Sequence, residues 1–209
     1  MALIIKISDF SLHLDLEEKD NCFYLREYVN GAGFQGGKTN SLILNFKKSV
    51  DEKGKDHYQY KEMAIGQIAD ELIQALYENK NLDKMIFCPI PPSKQKSDPL
   101  YDDRLIQVLN RVKESIPITF EEMLETKISH PAQHKSAKRL SKADLKGKFS
   151  LASNSIDPTG KVVVLFDDVI ANGRHFKVCS EIINDRFPGT AIIGLFIARR
   201  VEGFPPNSF

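Results

Sequence analysis

The sequence predicts an α/β protein with a parallel β-sheet core and crossover helices, preceded by a small β-rich segment. Three observations support this prediction. Short, almost wholly apolar runs, typical of strands buried on both faces, recur after about residue 60. Between them lie segments whose apolar residues recur at helical spacing, and this alternation favours a parallel sheet. The first 60 residues differ because they are rich in glycine and charge and contain short β-like runs.

Residues 1–60 contain three β-prone runs: LIIKI near the start, CFYLREYV from Cys22 and SLILNF from Ser41. A glycine- and asparagine-rich connector, NGAGFQGGKTN, separates the last two runs. Two β-prone runs on either side of such a connector predict an antiparallel pair of strands with a wide loop. We therefore expect residues 1–60 to form a β-rich appendage, or hood, and residues 61–209 to form the main domain.

The main domain is predicted to alternate helices with strands. Apolar side chains at helical spacing predict a helix over residues 61–78, and MIFCPI then predicts a buried strand. A second helix, a strand in ITFEEML and a polar, lysine-rich segment at 125–148 follow, and we expect this segment to be a flexible lid. KVVVLFDD contains the strongest buried-strand pattern of the chain, and a third helix and the strand TAIIGLFIA come after it.

Composition excludes several classes of protein. Of the 209 residues, 42% are hydrophobic, which is enough for a folded core and excludes wholesale disorder. The net charge of +1 gives no electrostatic reason for direct nucleic-acid binding, so any such role would be indirect. The chain has no apolar run long enough to span a membrane. Three scattered cysteines without a CxxC pair predict a reduced cytoplasmic protein with no cysteine-built metal site.

The residues best placed for chemistry follow the strongest strand. Asp167 and Asp168 leave this strand, and a loop containing Gly173 then runs into the third helix. Ligands of parallel sheets gather at the carboxyl ends of the strands. Amides at a helix N-terminus can hold a phosphate, and the two carboxylates can accept hydrogen bonds from sugar hydroxyls. The pattern therefore favours a ribose phosphate site. The alternative is that the acidic pair only caps the next helix.

The segment VVVLFDDVIANG resembles the phosphoribosyl-diphosphate (PRPP) signature of type I phosphoribosyltransferases, in which a hydrophobic strand precedes two acids, two apolar residues and a Thr-Thr-Gly-like loop. The resemblance covers residues 61–200 and is similar in layout to the ComF-like branch of that family. IGQIADELIQAL, FCPIPPSK, HKSAKRLSKADLKGKFSL and IARR occur in the order of that branch. The resemblance implies a Rossmann-like type I phosphoribosyltransferase core. It also implies Mg²⁺ and transfer of a 5-phosphoribosyl group between pyrophosphate and a base-like acceptor.

The same resemblance implies roles for the signature residues. Asp167 and Asp168 would hold the ribose hydroxyls, directly or with a nearby magnesium ion. Family members usually have hydroxyl side chains at two positions of the following loop, a small residue at a third, and often an N-terminal zinc-binding cysteine cluster, which this chain lacks. Five residues would surround the 5′-phosphate: Ala171, Asn172, Gly173, Arg174 and His175.

Pyrophosphate has its own implied contacts. The resemblance places it against Pro92, Ser93 and Lys94, in the loop after the first core strand. Lys135 and Arg139, in the lysine-rich lid, would neutralise the departing pyrophosphate. The implied ligands are therefore PRPP or a nucleoside monophosphate, together with pyrophosphate. Relatives are commonly dimers, which makes a homodimer an expectation.

Two other classes of function stay open. The replaced residues of the signature loop favour a non-catalytic PRPP- or nucleotide-binding regulator linked to DNA metabolism. The stretch GAGFQGGKT also matches GxGxxG and, over residues 32–39, a relaxed P-loop in which Lys38 would meet a phosphate. A P-loop nucleoside-triphosphatase needs a strand before the glycines and a helix after them. Because SLILNF is predicted to be a strand, we expect a hairpin loop there. His130 and His134 are expected in a surface loop.

Overall fold

The structure is a computed structural model that describes residues 3–130 and 140–203. Its strands are β1 (Ile5–Lys6), β2 (Cys22–Asn30), β3 (Met85–Pro89), β4 (Thr119–Phe120), β5 (Leu124–Thr126), β6 (Phe149–Leu151), β7 (Val162–Ile170) and β8 (Ala191–Glu202). Its α-helices are α1 (Lys38–Phe46), α2 (Gln59–Leu76), α3 (Arg104–Ser115), α4 (Lys142–Lys146) and α5 (Arg174–Arg186). None of these helices is long and apolar enough to cross a membrane.

The central sheet has six strands in the order β1-β2-β8-β7-β3-β4. In this order the pairs β2–β8, β8–β7, β7–β3 and β3–β4 are parallel. Strand β1 lies at the edge and pairs antiparallel with β2. Strands β5 and β6 form a separate antiparallel pair. The expected α/β class with a mostly parallel central sheet is therefore confirmed.

The position of β7 inside the sheet explains why its sequence is almost wholly apolar. Successive side chains of a strand point to opposite faces. Val164 and Phe166 pack with α1, α2 and α3 on one face of the sheet. Val163 and Leu165 pack with α4 and α5 on the other face. Both faces of the strand are therefore covered, and none of these four side chains is more than 1% exposed.

The N-terminal region departs from the prediction. SLILNF is not a strand, since it lies within α1, where Leu42, Ile43 and Phe46 have helical spacing and are buried in the core. A short apolar run does not by itself distinguish a buried strand from a buried helix. The preceding run forms β2 as expected, but β2 pairs in parallel with β8 rather than with SLILNF. The expected antiparallel pair is therefore wrong, and β2 and α1 extend the main sheet and its core instead of forming a β-rich appendage.

The expected lid segment at 125–148 is partly ordered secondary structure. It begins in β5, which pairs with β6, and it contains α4, whose Leu145 is buried. A capping box between Ser141 and Asp144 begins α4. Lys146 of the same helix forms an ion pair with Asp185 of α5. This part of the segment is therefore attached to the main body.

Candidate functional site

Asp167 and Asp168 lie within β7, three and two residues before its last residue, Ile170, and the loop at 171–175 follows. Alternation along the strand turns Asp168 to the face that holds Val164 and Phe166, where α1 and α3 pack. Asp167 is half-buried and borders an open cleft. The two acids of the predicted site therefore have different surroundings.

Asp168 is only 4% exposed and is held by two cations. Lys47, which follows α1, places its Nζ 2.8 Å from Oδ1, and Arg104, the first residue of α3, places its Nη2 2.6 Å from Oδ2. Burial alone would raise the pKa of Asp168, but the charges and hydrogen bonds of Lys47 and Arg104 hold it well below its usual value. Asp168 is therefore ionised, and both of its oxygens have partners.

The two cations belong to a larger charge network. Arg104 also places Nη1 2.7 Å from Asp102, and Lys61 of α2 places Nζ 2.7 Å from the same Asp102 oxygen. Lys61 is 1% exposed and also donates to the carbonyl oxygen of Lys48. The network therefore links β7 with the facing ends of α1, α2 and α3. Since three cations meet two carboxylates in it, an anionic ligand beside it would be favoured.

Asp167 has the opposite electrostatic character. Its Oδ1 accepts the backbone N–H of Asp168 at 2.7 Å. Burial and the neighbouring charge of Asp168 raise the pKa of Asp167 to about 7. At neutral pH this carboxyl group therefore exists in both protonation states, and its second oxygen can meet a hydroxyl group as an acceptor or as a donor.

The cleft beside Asp167 encloses about 550 Å³ of atom-free space, part of it open to solvent. Its walls include Pro92 and Lys94 from the loop after β3, together with Thr126 and Arg104. The structure thus brings Pro92 and Lys94, two residues expected to contact pyrophosphate, to the same cleft as Asp167. The register explains this proximity, because Ile90 donates its N–H to the carbonyl of Phe166 at 2.9 Å, and the loop leaves the sheet at that point.

The carbonyl groups of the loop after β3 are tied back to residues 126–130. Thr126 Oγ1 donates to the Pro92 carbonyl at 2.6 Å, and the His130 N–H donates to the Ser93 carbonyl at 2.9 Å. The described peptides are all trans, so each N–H points away from the carbonyl of the same peptide. The N–H groups of Ser93 and Lys94 therefore point away from residues 126–130 and can meet an anion.

The signature loop follows β7 and begins α5. Gly173 has φ +87°, in the left-handed region that favours glycine. Asn172 Oδ1 accepts the N–H of Arg174 at 3.3 Å. The Arg174 guanidinium donates to the Leu140 carbonyl and forms an ion pair with Asp15. Arg174 is therefore already bonded to protein groups, whereas the resemblance implied that its side chain would be available to contact the 5′-phosphate.

His175 and His130 both contact Phe149, each with its ring centroid 6.0 Å from that of Phe149. Burial lowers the pKa of His175 to about 4, so its ring is neutral at physiological pH. His130 is 5% exposed, which corrects the expectation of a surface loop. Its Nε2 has no hydrogen-bond partner within the described residues. Lys135, Arg139 and His134 lie outside the described residues.

The expected hairpin loop is wrong, because the glycine-rich stretch does not join two strands. It joins strand β2 to helix α1, which is the strand–loop–helix order of a P-loop. However, the interior of the loop is occupied by Asn40, which is fully buried. Asn40 exchanges two hydrogen bonds with the backbone of Val29 and donates a third to the Gly33 carbonyl at 3.0 Å. Lys38 is exposed. The loop therefore encloses its own side chain.

The donor set suits magnesium only in part. Among residues 3–130 and 140–203, no three His, Cys, Asp or Glu side chains are grouped as a metal site would require. Both oxygens of Asp168 are bonded to cations, which leaves Asp167 as the one acid of the pair with an oxygen free for Mg²⁺ or for its water shell. These residues fit an ion that arrives mainly coordinated by a diphosphate, as Mg²⁺ usually is in phosphate-binding sites.

Sequence reasoning missed the basic half of the site, which comprises Lys47, Lys61 and Arg104. Lys47 directly follows an apolar run that was predicted to be a strand, so its position beside β7 could not be foreseen. Arg104 follows two aspartates at the start of α3, a pattern common on solvated helix ends. A lysine as buried as Lys61 has no distinguishing sequence pattern, because its burial depends on Asp102, which is distant in the chain.

Neither the models of known protein families nor the curated protein sequences contain a match to this chain. Support for a function therefore comes from the sequence resemblance and from the residues and geometry of the cleft.

Proposed function

We propose that the protein is a type I phosphoribosyltransferase that binds PRPP with Mg²⁺ and transfers the 5-phosphoribosyl group between pyrophosphate and a base-like acceptor. One observation supports this proposal above the others. At the carboxyl ends of the neighbouring parallel strands β3 and β7, Asp167 lines the same cleft as Pro92 and Lys94 of the loop after β3, and Arg104 is also part of the cleft wall. The groups proposed to bind the sugar and the diphosphate thus line one cleft, at the edge of a parallel sheet where ligands commonly bind.

Each part of PRPP has a matching group in this proposal. Asp167 accepts hydrogen bonds from the ribose hydroxyls, and the amides of the signature loop hold the 5′-phosphate at the start of α5. The diphosphate meets the amides of Ser93 and Lys94 and the Lys94 side chain, whose Nζ is 3.8 Å from Asp98 and therefore only loosely paired. Arg104 and Lys47 add positive charge behind Asp168.

The reaction breaks the bond between the anomeric carbon and the diphosphate oxygen and forms a bond from that carbon to the acceptor. The electron pair of the broken bond leaves with pyrophosphate, and the proton of the acceptor leaves to solvent. This displacement has an oxocarbenium-like transition state, so it needs stabilisation of negative charge on the leaving group rather than a strong acid or base. When bound, Mg²⁺ supplies part of that stabilisation. The cationic network and the loop amides supply the rest.

A second function, binding of PRPP or a nucleotide without transfer, is favoured by the two ion pairs of Asp168. With both of its oxygens bonded to Lys47 and Arg104, Asp168 does not present a free carboxylate to the ribose. In this case the protein would act as a ligand-responsive regulator, with a partner in DNA metabolism and a homodimeric assembly as further expectations from the resemblance.

A thermal-shift screen with PRPP, pyrophosphate and nucleoside monophosphates, each with and without Mg²⁺, tests both functions. A ligand at 100 times its Kd stabilises the folded state by about 2.7 kcal/mol, which is readily detected. Stabilisation by PRPP followed by pyrophosphate release in the presence of one nucleobase of a panel supports the transferase. Stabilisation with no release on any base supports the regulator. The absence of a shift with PRPP and with every monophosphate contradicts both.

A further inference from the structure

Residues 9–20 lie in the connection between β1 and β2 and are called the strap here. The strap contacts the signature loop at residues 171–173. His13 places Nδ1 2.5 Å from the Ala171 carbonyl oxygen. The N–H of Asp15 donates to the Asn172 carbonyl at 2.9 Å. Because a carbonyl oxygen only accepts hydrogen bonds, the His13 ring carries its proton on Nδ1. The strap therefore bonds two consecutive carbonyl groups of the loop.

The strap also fits against the glycine of the loop. Leu16 is 7% exposed, and a Cβ atom added at Gly173 would lie 2.6 Å from the Leu16 side chain. This close approach, together with the positive φ of Gly173, leaves room for glycine alone at that position. Contact with Leu16 thus holds the turn that precedes α5.

The carbonyl bonds determine where the loop amides point. In a trans peptide the N–H is directed opposite to the carbonyl oxygen of the same peptide unit. The Ala171 carbonyl shares its peptide with the N–H of Asn172, and the Asn172 carbonyl shares its peptide with the N–H of Gly173. Since the strap holds both carbonyls, the N–H groups of Asn172 and Gly173 point away from the strap, to the opposite side of the loop.

The strap is itself attached to the protein by contacts that need no ligand. Lys177 of α5 places Nζ 2.9 Å from Asp20 and 3.3 Å from Glu17. His13 is 1% exposed, and burial lowers its pKa, so its ring is neutral and cannot itself contact a phosphate in the cleft. Its effect on a ligand must therefore act through the loop.

We propose that His13 and Leu16 are positioning residues that preset the amides of Asn172 and Gly173 toward the 5′-phosphate of the ligand. This inference rests on the proposed function, because it assigns a purpose to the loop only if the loop binds a phosphate. It also gives the segment before β2 a specific role in the site. Pre-orientation of this kind increases affinity because the ordering of the loop precedes binding.

The test compares His13→Ala, His13→Asn and Leu14→Ala in the full chain by titration calorimetry with ribose 5-phosphate and, separately, with pyrophosphate. Asn at position 13 can still donate a side-chain N–H to the Ala171 carbonyl, and Leu14 is an exposed neighbour in the strap, 81% accessible. We expect His13→Ala to weaken ribose 5-phosphate binding about five- to tenfold, the effect of one lost hydrogen bond. Pyrophosphate binding should change less than about twofold, and His13→Asn should recover most of the loss.

Different failures separate the inference from the proposed function. If the wild type binds neither ribose 5-phosphate nor PRPP, the proposed function and the inference both fall. If the wild type binds but His13→Ala weakens both ligands equally, or His13→Asn is no better than His13→Ala, only the positioning role is overturned. Amide hydrogen exchange on the wild type covers the case in which His13→Ala does not fold. Slowed exchange at Asn172 and Gly173 with ribose 5-phosphate supports the inference, and unchanged exchange at both overturns it.

Discussion

Asp167 and Asp168 are neighbours in one strand, yet their environments separate their chemistry. Two cations keep Asp168 ionised, and this ionised neighbour together with burial raises the pKa of Asp167 to about 7. Pairs of titratable groups whose pKa values are driven apart are typical of functional sites. In a network that only stabilises the fold, the Asp167 carboxyl group would contribute no stability, because no cation among the described residues is paired with it.

Asp167→Asn should stabilise the protein at high pH. The folded-state pKa of Asp167 is raised above its unfolded value, so this group favours folding at low pH and opposes it as the pH rises through about 7. Asparagine keeps the acceptor for the Asp168 N–H without the charge. We expect a gain in the free energy of unfolding on the order of 1 kcal/mol at pH 8 and much less at pH 5. Urea unfolding at both pH values measures it, with Asp70→Asn on the exposed face of α2 as the control. Equal gains at both pH values would contradict the assignment.

Lys47→Ala should weaken PRPP binding at least about tenfold, because it removes one of the two cations that neutralise Asp168 beside the cleft. Lys47→Arg should retain most of the affinity, since it keeps the charge. Lys53 is an exposed lysine nearby in the sequence, and Lys53→Ala serves as the matched control. Titration of PRPP at two salt concentrations measures these effects. An affinity of Lys47→Ala equal to that of Lys53→Ala would show that the cation contributes nothing to the site.

At the scale of elements, β2 and α1 show where sequence reasoning succeeded and where it failed. The β-branched and aromatic run from Cys22 predicted a strand correctly, but its partner β8 lies about 170 residues further along the chain, and no local pattern encodes that pairing. SLILNF was assigned by composition, although Leu42, Ile43 and Phe46 also fit one face of a helix. Because this helix was misassigned, the cation Lys47 that follows it and pairs with Asp168 was missed as well.

Asn40→Ala tests the internal support of the glycine-rich loop. The Asn40 side chain makes three hydrogen bonds to backbone groups of Val29 and Gly33, all in a buried position. Its removal leaves these groups unpaired, and we expect a loss of about 2–4 kcal/mol in the free energy of unfolding. Ser41→Ala, one residue further along α1, should change stability by less than about 0.5 kcal/mol. Chemical denaturation measures both. ATP binding that improves in Asn40→Ala would instead indicate a phosphate cradle that the asparagine blocks.

At the scale of the whole molecule, the repeated alternation of apolar strands and amphipathic helices was enough to predict the mostly parallel sheet and to choose a candidate site at its carboxyl edge. The loop containing Pro92 could be anticipated because it directly follows a buried strand, and Asp167 because it directly follows the apolar run of β7. The strap could not be anticipated, since its contacts with Ala171 and Asn172 join residues about 160 positions apart. Whether charged residues such as Lys61 are solvated or buried depends on the assembled fold, which local sequence does not specify.

Stability should decrease as the solution becomes acidic. Burial lowers the pKa values of His13, His130 and His175, so the unfolded chain takes up protons at these rings before the folded protein does. Each such histidine contributes a slope of up to about 1.4 kcal/mol per pH unit as the pH falls below about 6.5. Between pH 7 and 4, Asp167 has the opposite effect, because its raised pKa makes its protonation favour folding as the pH falls. Asp167→Asn should therefore make the loss of stability with falling pH steeper. Urea unfolding from pH 7 to 4.5 measures the slope, and constant stability over this range would contradict the buried, neutral histidines.

Calorimetric titration of PRPP in the presence of Mg²⁺, performed in parallel on the wild type, Asp167→Asn and Asp70→Asn, tests the central claim most directly. Saturable binding to the wild type and to Asp70→Asn, with an affinity at least about tenfold weaker in Asp167→Asn, is the expected result. Binding that is identical in all three proteins, or absent from the wild type, would show that the cleft beside Asp167 is not a site for phosphorylated ribose.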